Sequence, residues 1–129
     1  MNDKVKYWTN IAEYDLSAAK ALLKTKHFLY VGFMCHQTIE KILKAMFVLK
    51  FPNESPPYTH ALLRLSKITS LLEKMSEEHR ELIRSLEPLN IESRYPRTKE
   101  AIISTLSKER CNFIIHQTEG LFKWIKEQL

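Results

Sequence analysis

The chain has 129 residues, a length that suits one domain around one core. Apolar residues make up 44% and charged residues 27%, and only 2 glycines leave little material for tight β-turns or a glycine-rich phosphate loop. The formal net charge of +5 is a mild bias toward polyanionic partners and does not by itself mark a nucleic-acid binder.

The two cysteines, Cys35 and Cys111, each fall on an apolar helical stripe and read as small buried hydrophobes. No disulfide framework and no metal-ligand spacing such as C-x-x-C or H-E-x-x-H occurs, so neither a metal nor a cofactor is expected. MNDKVKYW lacks the apolar core of a signal peptide. No apolar stretch is long enough to span a bilayer, and the expected location is the cytoplasm.

In chain order, a first helix is predicted from Asp3 to about Lys24, with Trp8, Ile11, Ala12, Ala19, Leu22 and Leu23 recurring at the 3.6 period. Asp15 sits within that stripe, either as a partly buried carboxylate with a structural partner or as a site carboxylate. A second helix runs from about Leu29 to Leu49. Val31, Cys35, Ile39, Ile42, Leu43, Met46 and Leu49 form an arc wide enough to make it central. His36 borders that arc and should pack against the bundle. The helix stops at FPNESPPYTH, whose prolines cannot continue it.

Thr59 is the expected cap of a third helix with Leu62, Leu65, Ile68 and Leu72 as its core face, and His60 has a capping or packing role there. Ser76 should cap a fourth helix ending near Pro88, and LNIESRYPRTKEA is irregular or briefly helical. The last helix runs from about Ser107 to Gln128. One stripe of it, from Cys111 to Ile125, faces the core. A second stripe, Phe113, Gln117, Gly120 and Trp124, is left for a further contact, with Gly120 permitting close helix approach. No useful β-alternation, repeat or second domain is visible. The architecture is all-α, a single antiparallel bundle of four to five helices over residues 1–129.

Three stretches line up in order: WTNIAEYDLSAAKALL, then HQTIEKILKAMF followed by Thr59-His60-Ala61-Leu62, then SRYPR. Together they resemble the small stand-alone HEPN domains of bacteria and archaea over nearly the whole chain. The resemblance implies a helical bundle that pairs as a homodimer and is often found beside a minimal nucleotidyltransferase in toxin–antitoxin-like pairs. Some HEPN domains are metal-independent ribonucleases, leaving a cyclic phosphate after attack by the ribose 2′-hydroxyl, whereas others bind nucleotides or act as non-catalytic partners.

The second helix carries Gln37, Glu40, Lys41 and Lys44 on one strip of an otherwise apolar surface. Two structural readings are open: a Glu40–Lys44 pair on a solvated face, or Glu40 pairing Arg94, with Tyr95 beside it. The functional reading is a nucleotide or phosphate site, in which Lys41 and Lys44 supply cations, Gln37 a base or ribose contact and Arg94 a closing guanidinium. Catalytic HEPN domains also carry an Arg, four to six residues, then a His, with a polar residue directly after the Arg. RCNFIIH offers Arg110 and His116 at that spacing, but Cys111 follows the Arg and Asn112 comes one position late. On a continuous helix, Arg110 and His116 point about 120° apart. The sequence therefore favours a homodimeric binding module over a ribonuclease.

Overall fold

Asn2 opens the first helix by accepting the Val5 N–H on its side-chain oxygen at 2.9 Å. In the computed structural model, which describes residues 2–90 and 96–129 and only the backbone of 96–99, that helix is α1, Asp3–Lys24. Lys26, at φ 63°, reverses the chain into α2, Phe28–Lys50. The chain continues as α3 (Leu62–Ile68), a 3₁₀ turn (Leu72–Lys74), α4 (Glu77–Leu86), a second 3₁₀ turn (Glu87–Leu89), α5 (Pro96–Ile103) and α6 (Lys108–Lys126). The described residues thus form six α-helices where four to five were expected. The additional one is the eight-residue α5, which falls in the segment read as irregular or briefly helical.

α2 is the central helix. α1 packs along it most extensively, α6 lies on it next, and α3, α4 and the second 3₁₀ turn cover the rest. Ile39, Ile42 and Leu43 are fully buried, each worth about 1.5–3 kcal/mol in apolar transfer. Gly32 lets Leu89 close on α2, because a Cβ there would lie 3.0 Å from the leucine Cδ1. Ser76 and Ser107 cap α4 and α6, accepting the N–H groups of His79 and Arg110 at 3.1 Å.

Three local expectations change. α3 begins at Leu62, not at Thr59: the Thr59 hydroxyl accepts the Ala61 N–H, and the Leu62 N–H is taken from outside the helix by Glu87 Oε1 at 2.7 Å. Leu72 lies beyond α3, because Ser70 at φ 61° breaks the helix and leaves Leu72 to the following turn. Gly120 serves no close approach within the subunit, since a Cβ there would meet nothing within 4 Å.

Candidate functional site

Spacings of three and four residues bring Gln37, Glu40, Lys41 and Lys44 onto one strip of α2. That strip is not a solvated face. Glu40 is 0% exposed and Lys44 only 7%, with Trp8 of α1 set against Lys44 and His60, in the chain ahead of α3, against Glu40. Glu40 Oε2 accepts from Lys44 Nζ at 3.0 Å and Lys41 Nζ at 3.2 Å. Glu40 Oε1 faces His60 Nδ1 at 2.9 Å, and since a carboxylate only accepts, Nδ1 carries the proton. Lys41 also donates to Gln37 Oε1 at 2.9 Å, and the Lys44 ammonium stands 5.7 Å from the centroid of the Trp8 ring.

The electrostatics follow from this packing. Burial alone would raise the Glu40 pKa, but Lys41, Lys44 and His60 together hold it below the usual carboxylate value. Asp15 on α1 is half-buried and shifted upward, first by burial; Lys41 pulls it down and Glu40 pushes it up. With Lys41 and Lys44 set against Glu40 and Asp15, the charges balance. The Lys41 side chain is still 20% exposed and uses only two of its N–H groups in the described contacts. It is the cation of the strip best placed to meet an outside anion, whereas Lys44 is committed to Glu40 and Trp8.

From sequence, His36 reads only as a packing residue, although Glu40 follows it four residues on along the same helix. It is 1% exposed, with Nδ1 3.9 Å from Glu40 and Nε2 3.9 Å from Glu87, beyond hydrogen-bond reach of either carboxylate. Burial drives its pKa down to about 4, so the ring is neutral at neutral pH and forms no ion pair there. Glu87 ties the cluster to the start of α3 through Leu62. Arg94 and Tyr95 lie outside the described residues.

Arg110 and His116 are both exposed and do not converge within the subunit. Arg110 lines a groove of about 270 Å³ between α4 and α6 with Glu78, Glu81, Leu82 and Phe113. His116 lines a different groove, between α1 and α6, with Lys20, Lys24, Asn112 and Glu119. Cys111, between them in sequence, points inward, its thiol 3.7 Å from the Phe28 carbonyl. Burial raises its pKa, and it pushes Cys35 up to about 12, so both remain thiols. Among the described residues, no group of three or more His, Cys, Asp or Glu is arranged to hold a metal ion, and no helix is long and apolar enough to cross a membrane.

The model of the HEPN domain matches residues 5–128. The fold is similar to that of TT1696 from Thermus thermophilus, with a TM-score of 0.82 at 17% identity, covering 99% of this chain and 100% of that one. It is also similar to ST0689, described as an archaeal HEPN homologue, with a TM-score of 0.72 at 17% identity over 98% of both chains. No curated protein matches. The chain belongs to the HEPN family.

Proposed function

We propose that this HEPN chain is a binding and interaction module: a homodimer that partners a minimal nucleotidyltransferase and binds nucleotide or RNA through the α2 strip. The observation that carries the reading is the separation of the two motif residues. A general base and a phosphate-stabilising cation must converge on one phosphate, and Arg110 and His116 open into different grooves. Lys41 supports the binding half, as a partly exposed ammonium backed by a fixed carboxylate. The charge balance around Glu40 makes this a site for a modest number of phosphates and not a long polyanion track.

The ribonuclease reading retains one observation, the R-x5-H spacing itself, which would need a second copy to complete a site. Incubation with bulk RNA in EDTA separates the two readings. On the binding reading the RNA stays intact, and nucleotide or RNA affinity falls in Lys41→Ala with a shallower salt dependence. Chelator-resistant cleavage by the wild type, lost in both Arg110→Ala and His116→Ala while each stays folded, would replace it.

A further inference from the structure

Trp8 of α1 stands 5.7 Å from the Lys44 ammonium of α2. The two helices run antiparallel, since a tight reversal at Lys26 joins them and Lys4, near the start of α1, donates to the Pro52 carbonyl just past the end of α2. Seven residues on from Trp8 is Asp15, and seven back from Lys44 is Gln37. Seven residues are close to two full turns, so the same two faces meet again there and Asp15 comes opposite Gln37 and its neighbour Lys41. These side chains leave complementary hydrogen-bonding groups unused. Gln37 is 6% exposed, and its Oε1 accepts from Lys41 Nζ at 2.9 Å, which fixes Nε2 as the other end of the amide. Nε2 has no hydrogen-bond partner, a costly state that few buried donors are left in. Asp15 is half-buried and, among the described residues, makes no hydrogen bond or salt bridge. Lys41 keeps one N–H beyond its bonds to Gln37 and Glu40.

We propose that Asp15 and Gln37 together read a guanine base: the Asp15 carboxylate accepts from N1–H and the 2-amino group, Gln37 Nε2 donates to O6, and Lys41 turns outward to the phosphate. The proposal rests on the nucleotide-binding reading above and names the base. Two carboxylate oxygens beside an amide N–H match in full only the donor–donor–acceptor edge of guanine. Adenine and cytosine leave one carboxylate oxygen facing no donor, and uracil sets a carbonyl against it. Nε2 lies beneath the surface with the Lys41 ammonium against the same amide, and Lys41 is flexible and 20% exposed, so its turn toward the phosphate uncovers the donor. Glu40 keeps Lys44 and His60 as its partners when Lys41 moves. A free guanine nucleotide and a guanine in single-stranded RNA present the same edge, and the experiment separates them.

Isothermal titration calorimetry of the full chain tests this with GMP, IMP, AMP and UMP, and with uridine-tract RNA carrying one central guanosine, one adenosine or neither. The guanine ligand should bind about tenfold or more tighter than its adenine and uracil counterparts, and IMP, which lacks only the 2-amino group, should fall between GMP and AMP. A preference among the free nucleotides assigns the free ligand, and a preference among the tracts alone assigns RNA. Asp15→Asn should lose about tenfold for guanine and bind the xanthine counterpart more tightly than guanine, because the new amide still accepts N1–H and now donates to the carbonyl that xanthine carries at C2. Lys41→Ala, by contrast, should weaken all the bases alike, as loss of a phosphate contact does. Equal binding of the bases by wild type, or a folded Asp15→Asn variant that keeps its guanine preference, overturns the guanine reading and leaves the binding strip standing. A wild type that binds none of these ligands overturns both.

Discussion

The Glu40 cluster and the α4–α6 groove are built from the same residue types and solve opposite problems. Around Glu40, two ammonium groups and an imidazole N–H are directed at a single carboxylate with no exposure, and a half-buried Asp15 balances the count. In the groove, Arg110 and Glu78 stand exposed and make no salt bridge among the described residues. A buried charge must be answered inside the subunit, because desolvation leaves it no alternative. An exposed charge can wait for a partner, since water holds it at little expense. The first region therefore speaks mainly of how the bundle is held together, with Lys41 as its one outward-facing cation. The second leaves its charges at the surface, in water.

Removing the carboxylate from the first region should have the largest effect. Glu40→Ala would leave Lys44, 7% exposed, beside the Trp8 ring without the carboxylate to which it donates. Breaking a buried pair by deleting one partner is worth about 3–5 kcal/mol. Urea denaturation should show a loss of that order, and His60 would lose its acceptor as well. A loss under about 1 kcal/mol would mean that the cluster is wetter than its burial indicates, and the contrast with the groove would fade.

The pH dependence of stability sharpens the same contrast. His36 titrates at about 4 in the folded chain against an unperturbed value near 6.5. It is faced by Glu40 and Lys41 of α2, by Glu87 of the second 3₁₀ turn and by His60 ahead of α3. Between those two pH values the unfolded chain binds a proton that the folded chain refuses, so stability is full above about pH 6.5 and falls as the pH drops toward 4. The loss should reach about 3 kcal/mol, from 1.36 kcal/mol per pKa unit. The depressed Glu40 pKa works in the same direction, but only below its unfolded value of about 4.5. His36→Gln should therefore flatten the urea-denaturation profile between pH 6.5 and 4.5 and leave the steeper fall below it. Parallel profiles for the two proteins would place the titrating group elsewhere.

Periodicity carried the long helices because their signals are local. The observed α1 and α2 boundaries lie within one residue of those expected, Ser76 stands where the short-range capping rule puts it, and α6 begins directly after Ser107, close to its expected start. The strip of α2 was visible as a pattern, but its burial was not, since that depends on α1 and the chain ahead of α3 closing over it. The cap of α3 was missed for a similar reason. Glu87 lies 25 residues from Leu62, and no spacing rule links them. Of the two carboxylates near His36, Glu40 was legible four residues on along the same helix, whereas Glu87 comes from the second 3₁₀ turn and no local spacing announces it. The break after Ile68 turns on a serine in the left-handed region, a conformation that residue identity alone does not announce.

The smallest expected effect belongs to His116. It is exposed, and its groove neighbours Lys20 and Glu119 already pair with each other. Surface substitutions of this kind stay within about 0.5 kcal/mol, and alanine is the better helix former. His116→Ala should therefore leave the urea midpoint unchanged or slightly raised. A general acid or base would behave differently, since its removal lowers a rate by about 10²–10⁴-fold while stability stays flat. The variant therefore reads function where stability is silent. If chelator-treated RNA is cut by wild type and spared by His116→Ala, the α1–α6 groove is the one that acts on a substrate, and it would have to meet Arg110 of another copy to do so. If neither protein cuts, His116 is a solvated helix residue.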